Sequence, residues 1–311
     1  MGRPVAQVTI RAMTASRFAP RHWALWCAVG VAWLVAHLSL PAQFALGRAL
    51  GALFYRFGHA RRHIAETNLR LCFPLLDARR RDALVRAVFR SVGIGAVETA
   101  IAWFRDPARY RQRVDVEGLE HLVSASKLGH GVLLVGAHFT TLDFAGALLS
   151  LFADIDVVYR RNANPVVEWL MLHGRERMFG AVIERGDPRR MLERLDAGRT
   201  VWYAPDQDYG RKVSVFAPFF GVPAATITAT ARLARRNGSP VLFFSHYRNE
   251  RTRRWRLEIS PVIDGFPSGD DVADATRLNA IVEQAIRRDP AQYLWLHRRF
   301  KTRPPGEARP Y

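Results

Sequence analysis

After Pro107 the chain alternates short β-type runs with helical ones, and this alternation restricts its architecture more than any other feature. Residues 113–117, 131–136, 155–159, 200–204, 240–246 and 254–259 read as strands. Residues 140–151, 165–179, 187–197, 225–237, 271–288 and 291–299 carry helical periodicity. Strands joined through helices pair mostly in parallel, so the expected fold class is α/β: a largely parallel central sheet flanked by helices. In such sheets functional groups gather beyond the C-terminal ends of the strands. That rule directs attention to residues 137–143, 160–162 and 205–208.

Upstream the pattern is different. No residue of 22–47 carries a formal charge, and the densest apolar part, 23–40, ends at Pro41. Its length is at the short end of what crosses a hydrocarbon layer. Arginines flank both sides, and Trp23, Trp26 and Trp33 are suited to an interface. The expectation is an N-terminal membrane helix, with residues 1–57 as a membrane-anchoring segment and 58–311 as a second unit. Residues 43–57, 59–72 and 77–104 read as further helices. Asp77 is the expected N-cap of the last, and the small residues Gly47, Gly51 and Gly58 accompany the first.

Within 137–143 the letters are AHFTTLD. His138 follows a buried strand, and Asp143 lies five residues on. On one continuous helix the two would diverge by about 140°. If Thr140 caps the helix, the chain turns between them and Asp143 faces back toward the histidine. Its carboxylate then fixes one imidazole tautomer and leaves the other nitrogen as a general base. The same letters also fit a capping box, with Asp143 serving the helix alone. Spacing leaves both readings standing.

Arg160 follows the strand at 155–159 and suits a phosphate, though an exposed basic pair with Arg161 fits as well. Asp206 and Asp208 sit in the turn PDQDYG. Asp-x-Asp reads either as a metal grip for a sugar nucleotide, which would make a membrane-attached glycosyltransferase, or as backbone capping in a turn. No nucleophile elbow, P-loop or His-Glu-x-x-His is present. Cys27 and Cys72 form neither a disulfide framework nor a zinc pair. The net charge is +18, carried almost wholly by arginine. That balance fits nucleic acid, an anionic membrane surface, or an acidic or phosphorylated partner. No recognisable nucleic-acid module accompanies the basic runs.

Taken together, LLVGAHFTTLDFAG (133–146), VYRRN (158–162), VWYAPDQDYGRKVSVFAPFFGVPAAT (201–226) and QYLWLHRRFKTRP (292–304) resemble the lipid A biosynthesis acyltransferases, the late lauroyl- and myristoyl-transferases. The resemblance covers nearly the whole chain. It implies a glycerolipid-acyltransferase-like core at the cytoplasmic face of the bacterial inner membrane. It also implies acyl transfer from acyl carrier protein to a hydroxyl of a hydroxyacyl chain on a phosphorylated, Kdo-bearing lipid A precursor. His138 and Asp143 would be the catalytic dyad, and Arg160 and Asp206 substrate-binding residues. The resemblance implies neither a metal nor another cofactor, and no nucleic-acid partner. Another glycolipid or an ornithine lipid stays open as acceptor. So does a third reading, a non-catalytic binder of anionic lipid.

Overall fold

The computed structural model describes residues 17–311. Four helices precede the sheet: α1 (Trp23–His37), α2 (Leu40–Phe57), α3 (His59–Cys72) and α4 (Ala78–Phe104). As expected, Asp77 caps α4, accepting from the amide of Arg80 at 2.7 Å. The apolar run 23–40 does not form one helix. It breaks at Leu38 and Ser39, because Pro41 cannot continue α1 but fits the first turn of α2. The anticipated N-terminal membrane helix is therefore two shorter helices rather than one. By length and composition, α4 is the one helix among the described residues that could cross a bilayer, and 61% of its most apolar stretch is buried in the fold. A core helix passes the same test. The part of the anticipated anchor before residue 17 lies outside the described residues.

The central sheet comprises β1 (Val114–Glu117), β2 (Val132–Gly136), β3 (Ile155–Tyr159), β4 (Val182–Glu184), β5 (Thr200–Tyr203), β8 (Val241–Asn249) and β9 (Arg254–Ile259), in the order β1-β9-β8-β2-β5-β3-β4. From β8 to β4 every pairing is parallel, while β8 meets β9 antiparallel. The α/β class and the largely parallel sheet are as expected. Helices cover both faces: α5 (Leu119–Ser126), α6 (Leu142–Leu149), α7 (Pro165–Glu176), α8 (Pro188–Asp196), α9 (Ala229–Asn237) and α10 (Asp271–Arg288). All five residues of β2 are buried, as a strand enclosed on both faces requires. One core layer centres on Phe144, Trp202, Phe244 and Trp255, the other on Phe219, Phe243, Tyr293 and Trp295.

Two expected helices are corrected. Residues 225–227 belong to β7 (Val222–Ile227), which pairs with β6 (Ser214–Phe219) in a separate hairpin. Its two-residue turn puts Phe220 at φ 51° and Gly221 at φ 78°. The two-residue hairpin turn needs that left-handed backbone at both positions, usually with Asn-Gly rather than Phe-Gly. Residues 291–299 form no α-helix. After a short 3₁₀ turn, Pro290–Gln292, they run against the histidine loop.

Candidate active site

Strand register assembles the centre. In the parallel pair β2–β5, Val135 lies opposite Tyr203. Three residues beyond Val135 comes His138, and three beyond Tyr203 comes Asp206. The two loops leave the sheet side by side and their side chains meet. His138 Nδ1 lies 2.5 Å from Asp206 Oδ1, and the His138 amide donates to Asp206 Oδ2 at 2.9 Å. An ionised carboxylate only accepts, so Nδ1 carries the hydrogen and Nε2 presents a lone pair.

The expected bond between His138 and Asp143 is not formed. Helix α6 starts at Leu142, after Thr141, rather than at a cap on Thr140. Thr140 instead pairs through its hydroxyl with Ser91 at 2.7 Å, and its amide donates to the Gln292 carbonyl at 2.7 Å. Asp143 therefore turns toward α7, where Arg175 donates to Oδ1 through Nη2 at 2.6 Å and Nε at 3.3 Å. Asp143 still acts on His138 through space.

Burial works against a charged imidazole at His138, but the Asp206 carboxylate outweighs it, so the proton is held to higher pH than in an ordinary histidine. Asp206 is buried too, yet its bonds to His138 hold its carboxyl down at about 2. Tyr293 beside it also favours the charged carboxylate. Two neighbouring imidazoles behave oppositely. Burial holds His246 down at about 3 and His297 at about 4, so both stay neutral. His246 pairs with Thr141 at 2.5 Å, and His297 Nε2 accepts from the Asp208 amide at 3.1 Å. Of these three, only His138 is held toward its charged form.

His138 and Asp143 open on a cavity of about 560 Å³. Val157, Phe179, Met191, Trp202 and Leu233 supply apolar wall. Four arginines line it as well: Arg160, Arg175, Arg185 and Arg232. The arrangement can hold a long apolar chain beside a general base, with fixed positive charge for phosphate or a developing oxyanion.

Of the residues marked in the sequence, His138, Asp143 and Arg160 share this cavity, and Asp206 stands behind His138. Asp208 faces elsewhere: its carboxylate accepts from the amide and hydroxyl of Thr302 at 2.8 and 2.9 Å, and from the Gly210 amide at 2.9 Å. FAPFFG (216–221) packs inward, with Phe219 and Phe220 buried. Sequence reasoning missed Arg175, which lies in the last turn of α7 with no motif around it. It also missed the role of 292–294. There the Leu294 amide donates to the His138 carbonyl at 2.9 Å, and Tyr293 bridges to Phe139.

Residues 12–302 match the family model described as bacterial lipid A biosynthesis acyltransferase. The chain is 42% identical over 293 residues to a lipid A biosynthesis palmitoleoyltransferase of Escherichia coli K12, covering 94% of this chain and 95% of the relative. It is 41% identical over 288 residues to a lauroyltransferase of the same organism, covering 92% and 94%. It is 39% identical over 290 residues to a lipid A biosynthesis acyltransferase of Haemophilus influenzae, covering 92% and 93%. With a match of this extent and with histidine, carboxylate and apolar cavity together, the chain belongs to the bacterial lipid A biosynthesis acyltransferase family, and it is an acyltransferase.

Proposed function

We propose that the protein transfers a fatty acyl chain from acyl carrier protein to a hydroxyl of a hydroxyacyl chain on a phosphorylated, Kdo-bearing lipid A precursor. One observation carries this reading: an imidazole braced by a buried carboxylate stands at an apolar cavity lined with arginine. His138 Nε2 takes the acceptor hydroxyl's proton as its oxygen attacks the thioester carbonyl. Asp206 holds the tautomer and balances the imidazolium that forms. Negative charge then builds on the thioester oxygen, and Arg175 stands close enough to His138 to act on it electrostatically. When the tetrahedral intermediate collapses, the carrier thiolate leaves and takes up the proton. No covalent acyl-enzyme is required.

In this reading the dyad is His138 with Asp206. Asp143 orients Arg175, and Arg160 meets phosphate at the cavity. Residues 1–57 attach the protein to an anionic inner membrane at its cytoplasmic face, and 58–311 carry the chemistry. The glycosyltransferase alternative is disfavoured by the carboxylates themselves. Asp206 already accepts twice from His138, and Asp208 accepts from Thr302 and Gly210.

The test is turnover of acyl carrier protein thioester on a Kdo-lipid A precursor in detergent. Removing the imidazole with His138→Ala should cost roughly 10²–10⁴ in kcat, with unchanged circular dichroism. Near-normal turnover in that variant defeats the reading. Product mass names the chain and the acceptor, so a different glycolipid or an ornithine lipid is seen directly.

A further inference from the structure

Helices α1 and α2 expose an apolar surface that the other described residues leave uncovered. Along α1, one stripe faces the body: Leu25, Trp26, Val29, Ala32, Val35 and Ala36 are half-buried or buried, at helical spacing from one end to the other. Both ends are docked. Trp26 packs on Trp169 of α7 with ring centroids 5.7 Å apart, and Ala36 is fully buried in the core. The opposite face of α1 exposes Trp23, Val31 and Leu34, and Leu38 is exposed just past its end.

Helix α2 has three faces. Phe44, Gly47 and Gly51 are buried against α4; a Cβ on Gly47 would meet Ile94, and one on Gly51 would meet Phe89 and Arg90. At about 100° per residue, Leu46, Leu50, Leu53 and Phe57 share one free flank, while Arg48 and Arg56 share the other. All six are exposed. An apolar flank beside a basic one is the pattern of a helix lying in a membrane interface.

Geometry also argues against crossing. Fifteen residues of α1 rise about 22 Å, against a hydrocarbon layer of about 30 Å. A helix that crosses must leave the protein body at one end, and α1 stays against it at both.

We propose that α1 and α2 form an in-plane layer that enters one leaflet of an anionic bilayer and does not cross it. The occupant of the apolar surface is lipid, and its headgroups meet Arg48 and Arg56. A bilayer suits this surface better than a second copy, which would bring the same arginines together. The layer also places the chemistry. On α7, Trp169 touches α1 and Arg175 touches Asp143, about 9 Å apart along the helix.

The experiment uses the full chain with Cys27→Ser, carrying an environment-sensitive dye on one new cysteine at Trp23, Val31, Leu38 or Leu53. The protein is bound to phosphatidylcholine vesicles containing one-third phosphatidylglycerol, and quenching by shallow and deep spin-labelled lipids is compared. All four positions should report a similar shallow depth. Deep quenching at Val31 with shallow quenching at Trp23 and Leu38 marks a crossing helix and overturns the proposal. In a second measurement, Leu50→Glu with Leu53→Glu should weaken vesicle binding at least about tenfold while turnover in detergent persists. Unchanged vesicle binding, or loss of a dimer in its place, also overturns it. His138→Ala should bind vesicles normally, so failure of the catalytic reading and failure of this one are seen separately.

Discussion

An imidazole removes a proton only while it is neutral, so the carboxylate behind His138 has two opposed effects. Asp206 fixes the reactive tautomer, and it also makes His138 keep its own proton to higher pH than an ordinary imidazole. Activity should therefore fall as pH drops through a value above the usual histidine range. Asp206→Asn removes the charge that holds this proton, so the acid limb of kcat/KM should move to lower pH. The plateau should fall by roughly 10²–10⁴, because an amide no longer enforces the tautomer. A pH–rate profile checks both; an unmoved limb means Asp206 is not the partner. Asp143→Asn should move the limb less, since Asp143 touches Arg175 and reaches His138 only through space. The sequence made His138 and the nearby acids legible, because a histidine between a buried strand and a helix is conspicuous. It did not make their pairing legible. Residues 138 and 206 meet only because β2 and β5 are neighbours, and strand order is a long-range property.

At the scale of elements, the helical layer depends on backbone contact through glycine. A Cβ on Gly93 would lie 2.2 Å from the Gly47 carbonyl oxygen and 2.3 Å from the Gly51 amide, both backbone atoms that no rotamer can move. Gly93→Ala should push α2 off α4 and cost about 1–3 kcal/mol in denaturant unfolding. Gly30→Ala on α1 is the control. Nothing lies within 4 Å of the added methyl, so the helix should gain stability of up to about 1 kcal/mol. Equal effects from the two would mean the close approach is not tight. The small residues Gly47 and Gly51 were visible in the sequence, but their partner was not. Two misread elements share a cause. Residues 291–299 have helical periodicity, yet the Gln292 carbonyl and the Leu294 amide are used by the histidine loop, which a helix would not leave free for it. Residues 225–227 look like the start of α9. They extend instead because Phe220, an unusual turn residue, is held in place: its amide donates to Glu283 at 2.7 Å and its ring packs on Phe73. Local pattern carries neither contact.

Across the whole molecule, the excess of +18 is not spread evenly in its effect. Much of the arginine is balanced inside the fold or on its surface. Arg248 is buried against Glu98 at 2.6 Å, Arg254 meets Asp115 at 2.5 Å, and Arg190 meets Glu193 at 2.9 Å. Arg160 is different: it is exposed and lines the cavity beside His138. Charge left available there attracts an anionic acceptor from a distance set by the ionic atmosphere, about 10 Å at 0.1 M salt and about 3 Å at 1 M. Once the acceptor is seated, its contacts are partly shielded from salt. Raising salt should therefore lower kcat/KM for a phosphorylated acceptor by roughly several-fold while leaving kcat at saturation nearly unchanged. Arg160→Ala should flatten that dependence, and so should an acceptor stripped of its phosphates. Initial rates in neutral detergent, where no anionic surface competes, make the measurement. If the salt dependence survives removal of the phosphates, the arginines are steering the acidic carrier rather than the lipid, and Arg160 loses its assignment as a phosphate contact.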